Sequence, residues 1–370
     1  MKKFLIVLAA IFGVSGNAMA QGSVTLYGLI SAGLQYSNNQ GGHSSWQMAS
    51  GTMQPSRWGI KGSEDLGGGL KAIFTLENGF NVMNGTLMQN GREFGRQAYI
   101  GLSSNTWGTV TFGRQYDEMV TLCGFSSECQ FASTAAHIGD SDNVFDTFRI
   151  NNAIQYKTPQ YRGLQAEGLY GFSNDPGGFS NNNAYSAAVQ YRTGQFSAGA
   201  AFLLINRPNA ATNTNGAIVS DYGYTSPFVT NPATQSGVLK QRVFGVGGAY
   251  SFGTTNVSAL YTNVLFDYLD ASRLSLQNYE VSLTHYVRPD LMLGLAYIFT
   301  TGQYHPQGDS PKYHQVNVGI DYFLSKRTDL YLAGSYQRAA GDAKNAEIYL
   351  LSPSTTRSQV FAVAGIRHSF

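Results

Sequence analysis

The sequence predicts an all-β fold, a transmembrane antiparallel β-barrel of about 16 strands. Three observations predict it: strands with one apolar face, an export signal without a spanning helix, and connections that alternate between short and long. The final residues are the clearest strand, with one apolar face (Val360, Ala362, Ala364, Ile366) and one polar face (Gln359, Arg367, Ser369). A closing strand that meets two environments and ends on Phe370 is typical of a barrel that seals in a membrane.

Residues 1–20 predict a cleaved signal peptide, and residues 21–370 predict one barrel domain. Lys2 and Lys3 precede an apolar stretch at 4–14 and a small-residue cleavage site at 18–20. The alternative is a membrane anchor, but the apolar stretch is shorter than the roughly 18 residues that a span requires. Removing the two lysines leaves 22 basic and 22 acidic residues, so no charge excess predicts a nucleic-acid partner.

Composition narrows the class of exported protein. The chain has 43 Gly, 23 Tyr and 22 Phe with 12% charged residues, and no later apolar run reaches the length of a membrane helix. Export without a spanning helix leaves a secreted protein or an outer-membrane barrel, and abundant aromatic residues with modest hydropathy favour the barrel. The predicted location is therefore the cell outer membrane.

The connections predict the strand count. Short turns fall at 64–68, 104–108, 192–194, 288–290 and 325–328, and long polar segments fall at 38–55, 81–95, 114–148, 207–237, 302–313 and 339–357. Short turns on one side and long loops on the other are typical of outer-membrane barrels. The strands between them number about 16, which is the size at which a barrel keeps an aqueous channel.

Four stretches resemble the trimeric general porins of the neisserial and beta-proteobacterial type. They are GSVTLYGLISAGL at 22–34, SRWGIKGSEDLGGGLKAIFTLENGF at 56–80, RQAYIGL with WGTVTFGRQYD between 96 and 117, and GIRHSF at 365–370. The resemblance implies a homotrimer in which a third long loop, here 114–148, folds into each pore. It implies a water-filled passive diffusion channel for small hydrophilic solutes and ions, set among outer-membrane lipid and lipopolysaccharide. The closing strand with Phe370 resembles the sorting signal that the barrel assembly machinery reads.

Strand parity predicts a basic wall inside the barrel. Trp58 and Ile60 take the lipid side, so Arg57 and Lys61 point into the lumen. Near 96–102 the pattern is ambiguous, since Tyr99 and Ile100 both suit the outer face; placing Tyr99 outward puts Arg96 in the lumen, as the resemblance favours. Arg149 and Lys157 share a face of the next strand, and Arg114 stands at the loop entrance. The predicted wall is Arg57, Lys61, Arg96, Arg114, Arg149 and Lys157.

The infolded loop carries the opposite charge. Its predicted acidic residues are Asp117, Glu118, Glu128, Asp140, Asp142 and Asp146. A basic wall that faces an acidic loop would set a transverse field across a constriction and give a weak anion preference. The alternative is that these are ordinary solvated loop charges.

Cys123 and Cys129 predict a disulfide within the same loop. An even cysteine count in an exported chain favours pairing, and the short enclosed segment would stiffen the loop tip. Two free thiols are the alternative. No metal site or cofactor is predicted, because the histidines are dispersed and the glycine runs at 67–69 and 245–248 lack the rest of a phosphate-binding or dinucleotide-binding motif.

Three other functions compete with a general diffusion channel. A substrate-specific channel needs an aromatic track, and Tyr27 and Tyr331 are too few to form one. An adhesin or receptor barrel would use the long loops and is compatible with a pore. A barrel enzyme needs a nucleophile with a base, and no Gly-x-Ser-x-Gly motif or triad setting is present. The prediction is a non-enzymatic channel.

Overall fold

The computed structural model describes residues 22–208, 212–223 and 226–370, so the predicted signal peptide lies outside the described residues. The strands, numbered β1 to β17 in chain order, are Ser23–Gln40, His43–Ser50, Arg57–Gly67, Leu70–Gly79, Gln97–Ser104, Gly108–Gln115, Ile150–Lys157, Leu164–Gly171, Asn183–Thr193, Phe196–Asn206, Val238–Phe252, Thr255–Tyr268, Arg273–Arg288, Leu291–His305, Pro311–Phe323, Thr328–Gly341 and Ser358–Ser369. All the pairings between them are antiparallel, and they form one closed sheet.

The barrel wall has 16 strand positions around its circumference, because β2 and β3 together occupy one of them. β2 pairs with β1 from Ala32 onward, and β3 pairs with the earlier part of the same edge, up to Leu29. Between the two strands, residues 51–56 leave the wall and turn inward, where Thr52 and Met53 are buried. The predicted 16-stranded antiparallel barrel is confirmed.

The last strand closes on the first. β17 pairs with β1 along nine residues of each strand, from Leu29 with Ser369 to Ser37 with Phe361. Beyond the strand, Phe370 exchanges two main-chain hydrogen bonds with Gly28, at 3.1 and 3.0 Å. Its ring lies over the same glycine, where an added Cβ would meet the ring at 2.3 Å. The closure that the chain terminus predicted is therefore built with Phe370 as its final contact.

Alternation sets the two faces of the wall. On β14, Leu293, Leu295 and Tyr297 are exposed on the outer face, while Met292 and Ala296 are buried on the inner face. A strand has period two, so one stripe meets lipid and the other meets the barrel interior. In the described residues, no helix is long and apolar enough to span a bilayer.

The prediction of long loops is wrong for two of the six segments. Residues 38–50 instead continue β1 and β2 around a tight turn at Gly41 and Gly42, both with positive φ, and only 51–55 lie outside the strands. Residues 302–313 extend β14 and β15, leaving only 306–310 as a turn. Polar residues in these strand ends resemble loop composition, because the strands run beyond the apolar belt.

The connection between β6 and β7 folds into the barrel, which confirms the predicted infolded third loop. We call residues 116–149 the infolded loop. It contains 3₁₀ helices at Glu118–Phe125, Ser133–Ala135 and Ile138–Asp140 and one helical turn at Ser127–Gln130. A further helical turn, Met88–Gly91, lies between β4 and β5. The infolded loop packs on one side of the barrel and leaves a passage on the other.

Candidate functional site

Glycine pairs on the inner surface of β10–β15, which we call the loop-side wall, receive aromatic rings of the infolded loop. Phe125 lies over Gly199 and Gly247, which pair across β10 and β11. Phe131 lies over Gly294 and Gly319, which pair across β14 and β15. A Cβ added at Gly247 or Gly294 would approach these rings to 2.6 or 2.5 Å, so only glycine allows the contact.

A buried cluster of charged groups joins the same loop to the same wall. Glu280 on β13 accepts hydrogen bonds from Ser126 Oγ at 3.0 Å, Ser127 N at 2.7 Å and His137 Nε2 at 3.1 Å. His137 Nδ1 lies 2.6 Å from Asp142, which also accepts from Thr262 Oγ1. Buried charges persist only when they are paired and hydrogen-bonded, and this cluster meets that condition.

The protonation of His137 follows from its surroundings. Burial lowers the pKa of an imidazole, but the carboxylates of Asp142 and Glu280 outweigh burial and raise the pKa of His137 well above its ordinary value. Burial alone would raise the pKa of Asp142, yet the facing His137 charge lowers it. The pair is therefore ionised at neutral pH and holds the loop by charge-assisted hydrogen bonds.

Cys123 and Cys129 form the predicted disulfide, with their Cα atoms 5.6 Å apart. Phe125 lies inside the cross-linked segment and Phe131 lies two residues beyond Cys129, so the bridge is close in the chain to both rings that fill the glycine pairs. Both cysteines line the passage beside the loop. The disulfide therefore borders the cavity, while the two rings contact the glycines of the wall.

The passage contains a cavity of about 310 Å³ between the infolded loop and the opposite wall. We call that opposite wall, formed by β1, β3–β7 and β17, the open wall. Four arginines line the cavity: Arg57, Arg96, Arg149 and Arg367. Two carboxyl groups of the loop, Glu128 and Asp146, line the other side. Cationic side chains therefore outnumber carboxyl groups around the cavity.

Tyr116 and Glu77 organise the arginines. Arg96 donates from Nε to Glu77 at 2.7 Å and from Nη2 to the hydroxyl of Tyr116 at 2.6 Å. The guanidinium of Arg149 stands 5.1 Å from the centre of the Tyr116 ring, and Arg57 Nε lies 3.9 Å from Glu77. One carboxylate and one ring thus hold three guanidinium groups on the open wall.

The other predicted basic residues lie elsewhere. Lys61 stands over the ring of Tyr27 at 5.2 Å and does not line the cavity. Lys157 pairs with Glu167 at 2.9 Å in a second cavity of about 400 Å³ nearer the short turns, which meets the first at Tyr116. Of the predicted basic wall, Arg57, Arg96 and Arg149 therefore line the first cavity, whereas these two lysines lie away from it.

Arg114 does not line either cavity. Its guanidinium is buried and donates to Asp221 at 2.6 Å and to the side chain of Asn151 at 2.6 Å. Gly113, with φ +137°, and a register shift beside it take the chain out of regular alternation before Arg114. Arg114 therefore ties the loop that carries Asp221 to the barrel.

The parity assigned to Tyr99 is wrong, although Arg96 does point inward. Tyr99 faces the lumen, where its hydroxyl accepts a hydrogen bond from Thr75 Oγ1 at 3.1 Å, and Ile100 takes the outer face with 63% exposure. β5 begins at Gln97, so Arg96 precedes the regular strand. Alternation inside β5 therefore gives no information on the direction of Arg96.

Three of the predicted acidic residues stabilise the infolded loop from within. Asp117 caps Glu118–Phe125 by accepting from Met119 N at 2.8 Å, and burial raises its pKa to about 7. Asp140 accepts from the main chain of Phe145 and from Thr147, and burial raises its pKa to about 7. Asp142 belongs to the His137 cluster. None of the three lines the cavity.

The remaining acidic residues face the passage, in two places. Glu118 lines the second cavity, where burial and the nearby Glu167 raise its pKa to about 8. Glu128 and Asp146 line the first cavity; burial, followed by the neighbouring carboxyls Asp140 and Asp117 respectively, raises both pKa values well above the ordinary range. These carboxyl groups are therefore largely neutral where the arginines are charged.

Several site residues escaped sequence reasoning. Glu77 and Arg367 lie on inward positions of alternating strands, so parity would have found them. Tyr116 follows the bulge at the end of β6, where parity fails. Glu280 and His137 are far apart in the chain, and only the folded loop brings them together.

Comparisons with known proteins identify the family. A family model for Gram-negative porins matches residues 5–342. The chain is 32% identical to an outer membrane porin protein of Bordetella pertussis over 100% of both chains, and 29% identical to outer membrane porin protein 32 of Delftia acidovorans over 100% of both. The chain belongs to the Gram-negative porin family. It is therefore an outer-membrane porin, a passive diffusion channel in the cell outer membrane.

Solved outer-membrane proteins share its fold. An anion-selective porin from Comamonas acidovorans superposes with a TM-score of 0.76 at 24% identity, covering 94% of this chain and 100% of that one. OmpT of Vibrio cholerae, solved in a trimer form, gives a TM-score of 0.68 at 15% identity. In porin barrels the short turns face the periplasm and the long loops face outward.

Proposed function

We propose that the cavity beside the infolded loop is the constriction of this porin and that it gives a weak preference for anions among small hydrophilic solutes and ions. Arg57, Arg96, Arg149 and Arg367 line it, facing two carboxyl groups whose burial favours the neutral form. This imbalance of charge is the observation that carries the proposal. Charged groups at a constriction bias the choice of ion, and the field between wall and loop favours polar solutes.

The test is the double variant Arg57→Ser, Arg96→Ser in a planar bilayer. We expect the reversal potential in a salt gradient to move toward that of a non-selective pore, while conductance steps persist. Arg327→Ser, in the short periplasmic turn, is the matched control and should leave selectivity unchanged. An unchanged anion preference in the double variant would refute the assignment of the constriction.

We also propose a homotrimer, supported by the family and by the trimer form of a porin with the same fold. A barrel wall that faces a neighbouring subunit needs an apolar surface, as does one that faces lipid. Conductance that rises in groups of three steps on insertion supports the trimer. Single independent steps from the intact assembly contradict it.

Two further partners belong to this proposal. Outer-membrane lipid and lipopolysaccharide surround the apolar outer face, and the barrel assembly machinery reads the closing strand. Phe370 supports the role of the assembly machinery, since its ring and main chain make the last contact between the closing strand and β1. Deleting Phe370 should reduce the amount of porin at the cell surface more than the conductance of each inserted channel. Normal surface levels would contradict this role.

The proposal includes no enzymatic activity. Ser126, His137 and the carboxylates of Asp142 and Glu280 lie together, as the groups of a hydrolytic site do. Both His137 ring nitrogens already bond a carboxylate, and the ring has 0% exposure. The cluster therefore serves as an anchor for the loop. An esterase assay of the purified porin should give no turnover.

A further inference from the structure

The outer surface of β11–β14 carries an apolar groove of about 570 Å³. Gly248 and Ala259 form its floor; they pair directly across β11 and β12 and carry little side chain. Its sides are the larger residues Tyr261, Tyr279, Val281, Tyr297 and Phe299. The groove is thus a depression between aromatic side chains on a surface that faces lipid.

A continuous row of rings runs along the upper side of this groove and ends on a cation. Cross-strand pairing joins Tyr261 to Tyr279, Tyr279 to Phe299, Phe299 to His314 and His314 to Arg338. Successive ring centres are 5.1, 6.3 and 4.9 Å apart from Tyr261 to His314. Aromatic residues at this level mark the boundary between the hydrocarbon and the headgroups.

More cations follow on the outward face above this row. Lys312 lies two residues closer to the long loops than His314, a step of about 7 Å along a strand. Lys240, Arg242 and Arg273 lie higher on β11 and β13. Asp267 is the one carboxylate that shares this end of the outward face in the described strands; it pairs with Arg242 at 2.8 Å and with Arg273 at 2.6 Å.

Three of these cations have no partner. The side chains of Lys240, Lys312 and Arg338 make no hydrogen bond or ion pair with any residue that the structure describes. They lie on β11, β15 and β16, so they span about 24 Å across the sheet at the usual strand spacing. Unpaired cations at headgroup level attract phosphate, whose oxygens accept charge-assisted hydrogen bonds.

We propose that this surface docks one molecule of lipopolysaccharide, with an acyl chain in the groove and phosphates on Lys240, Lys312 and Arg338. The proposal rests on the outer-membrane location and on the lipid partners proposed above, and it names their site. Charge complementarity favours this occupant, because a glycerophospholipid with one phosphate reaches fewer of the dispersed cations. A cation that merely extends toward any headgroup would show no such preference.

The test uses the full-length mature porin with bisphosphorylated lipid A and phosphatidylglycerol as probes. Lipids retained per barrel are counted by native mass spectrometry during titration. In the triple variant Lys240→Gln, Lys312→Gln, Arg338→Gln we expect the apparent affinity for lipid A to fall by about tenfold or more. The matched control, Lys326→Gln with Arg327→Gln in the periplasmic turn, should bind lipid A as the wild type does.

A second variant tests the groove independently of charge. Ala259→Leu keeps an apolar lipid-facing side chain and fills the floor, so it should weaken lipid A binding without altering the cations. Equal binding of lipid A and phosphatidylglycerol by the wild type, an unaffected triple variant, or a second copy of the chain on this surface would each overturn the proposal. Conductance reports the channel separately, so a failed constriction and a failed lipid site give different results.

Discussion

The open wall and the loop-side wall of this barrel have the same alternating pattern but contribute different chemistry. The open wall presents Arg57 and, beside its strands, Arg96 and Arg149 to the cavity. The loop-side wall presents glycine pairs that receive Phe125 and Phe131. The open wall supplies positive charge, and the loop-side wall supplies space for the rings of the infolded loop. A porin of this kind needs both, because the arginines form a constriction only if the loop is held opposite them.

The two walls also treat charge differently. On the open wall, the single carboxylate of Glu77 pairs with two arginines, so the net charge of the three groups stays positive. On the loop-side wall, Glu280 accepts hydrogen bonds from Ser126, Ser127 and His137. Its negative charge therefore holds the infolded loop against the wall. A buried carboxylate on one wall therefore affects selectivity, whereas on the other it affects the position of the loop.

Glu280→Gln should have the largest effect, because it removes the charge that faces His137 and breaks a buried pair. Loss of one partner in such a pair costs roughly 3 kcal/mol or more. We expect frequent closures in single-channel records and faster proteolysis of the infolded loop. Asp290→Asn, which removes an exposed carboxylate of the next periplasmic turn, is the control. Quiet channels in Glu280→Gln would show that the glycine contacts alone hold the loop.

The same anchor predicts a direction for pH. The pKa of His137 is raised in the folded protein, so its contribution to loop docking is complete below the unfolded pKa of about 6.5. The contribution declines above that pH and is lost as the pH rises through the raised value. Loop closures should therefore become more frequent as the pH rises into the alkaline range, and single-channel records at a series of pH values measure this.

Gly294→Val should have the next largest effect, acting on the loop-side wall without touching any charge. The new side chain would enter the space of the Phe131 ring, and overpacking of this kind costs about 1–3 kcal/mol. We expect a lower melting temperature and an altered conductance. Gly168→Val, on β8, where an added Cβ meets only the main-chain oxygen of Ser186 at 3.7 Å, tests whether a valine in a strand is by itself harmful to insertion. Equal conductance in the Gly294 variant would contradict the glycine contacts.

Sequence reasoning reached the fold but only part of the site, for physical reasons that the two walls show. Alternation repeats in every strand, so it gave the barrel, and it placed Arg57 inward. It failed at Tyr99, since the neighbouring Ile100 suits the outer face equally well, and at Arg114, which follows a bulge. It could not find the glycine pairs, because Gly247 and Gly294 acquire meaning only when a loop ring lies on them.

Breaking the disulfide should have a smaller effect than either change. Closing a segment of this length restricts the unfolded chain by about 2 kcal/mol, and the rings of Phe125 and Phe131 remain in their glycine pairs. Cys123→Ser with Cys129→Ser should lower the melting temperature modestly and leave the reversal potential unchanged. Reduction of the wild type with dithiothreitol checks the same point. A loss of anion preference would mean that the bridge itself positions the arginines.

The smallest expected effect is a change of selectivity with pH, which involves no rearrangement of either wall. Burial raises the pKa of Glu118 to about 8, and the pKa values of Glu128 and Asp146 lie well above the ordinary carboxyl range. Below these values the carboxyls are neutral and the arginines act alone. As the pH rises through them, negative charge appears opposite the arginines, so the anion preference should decline as the pH rises from neutral into the alkaline range. Reversal potentials recorded from neutral to alkaline pH measure this decline.

Glu128→Gln with Asp146→Asn keeps the shapes of both side chains and should flatten the decline that these two groups cause. A decline that survives in this variant would assign the titration to Glu118 in the second cavity, and no decline in the wild type would mean that the arginines hold these carboxyls ionised throughout.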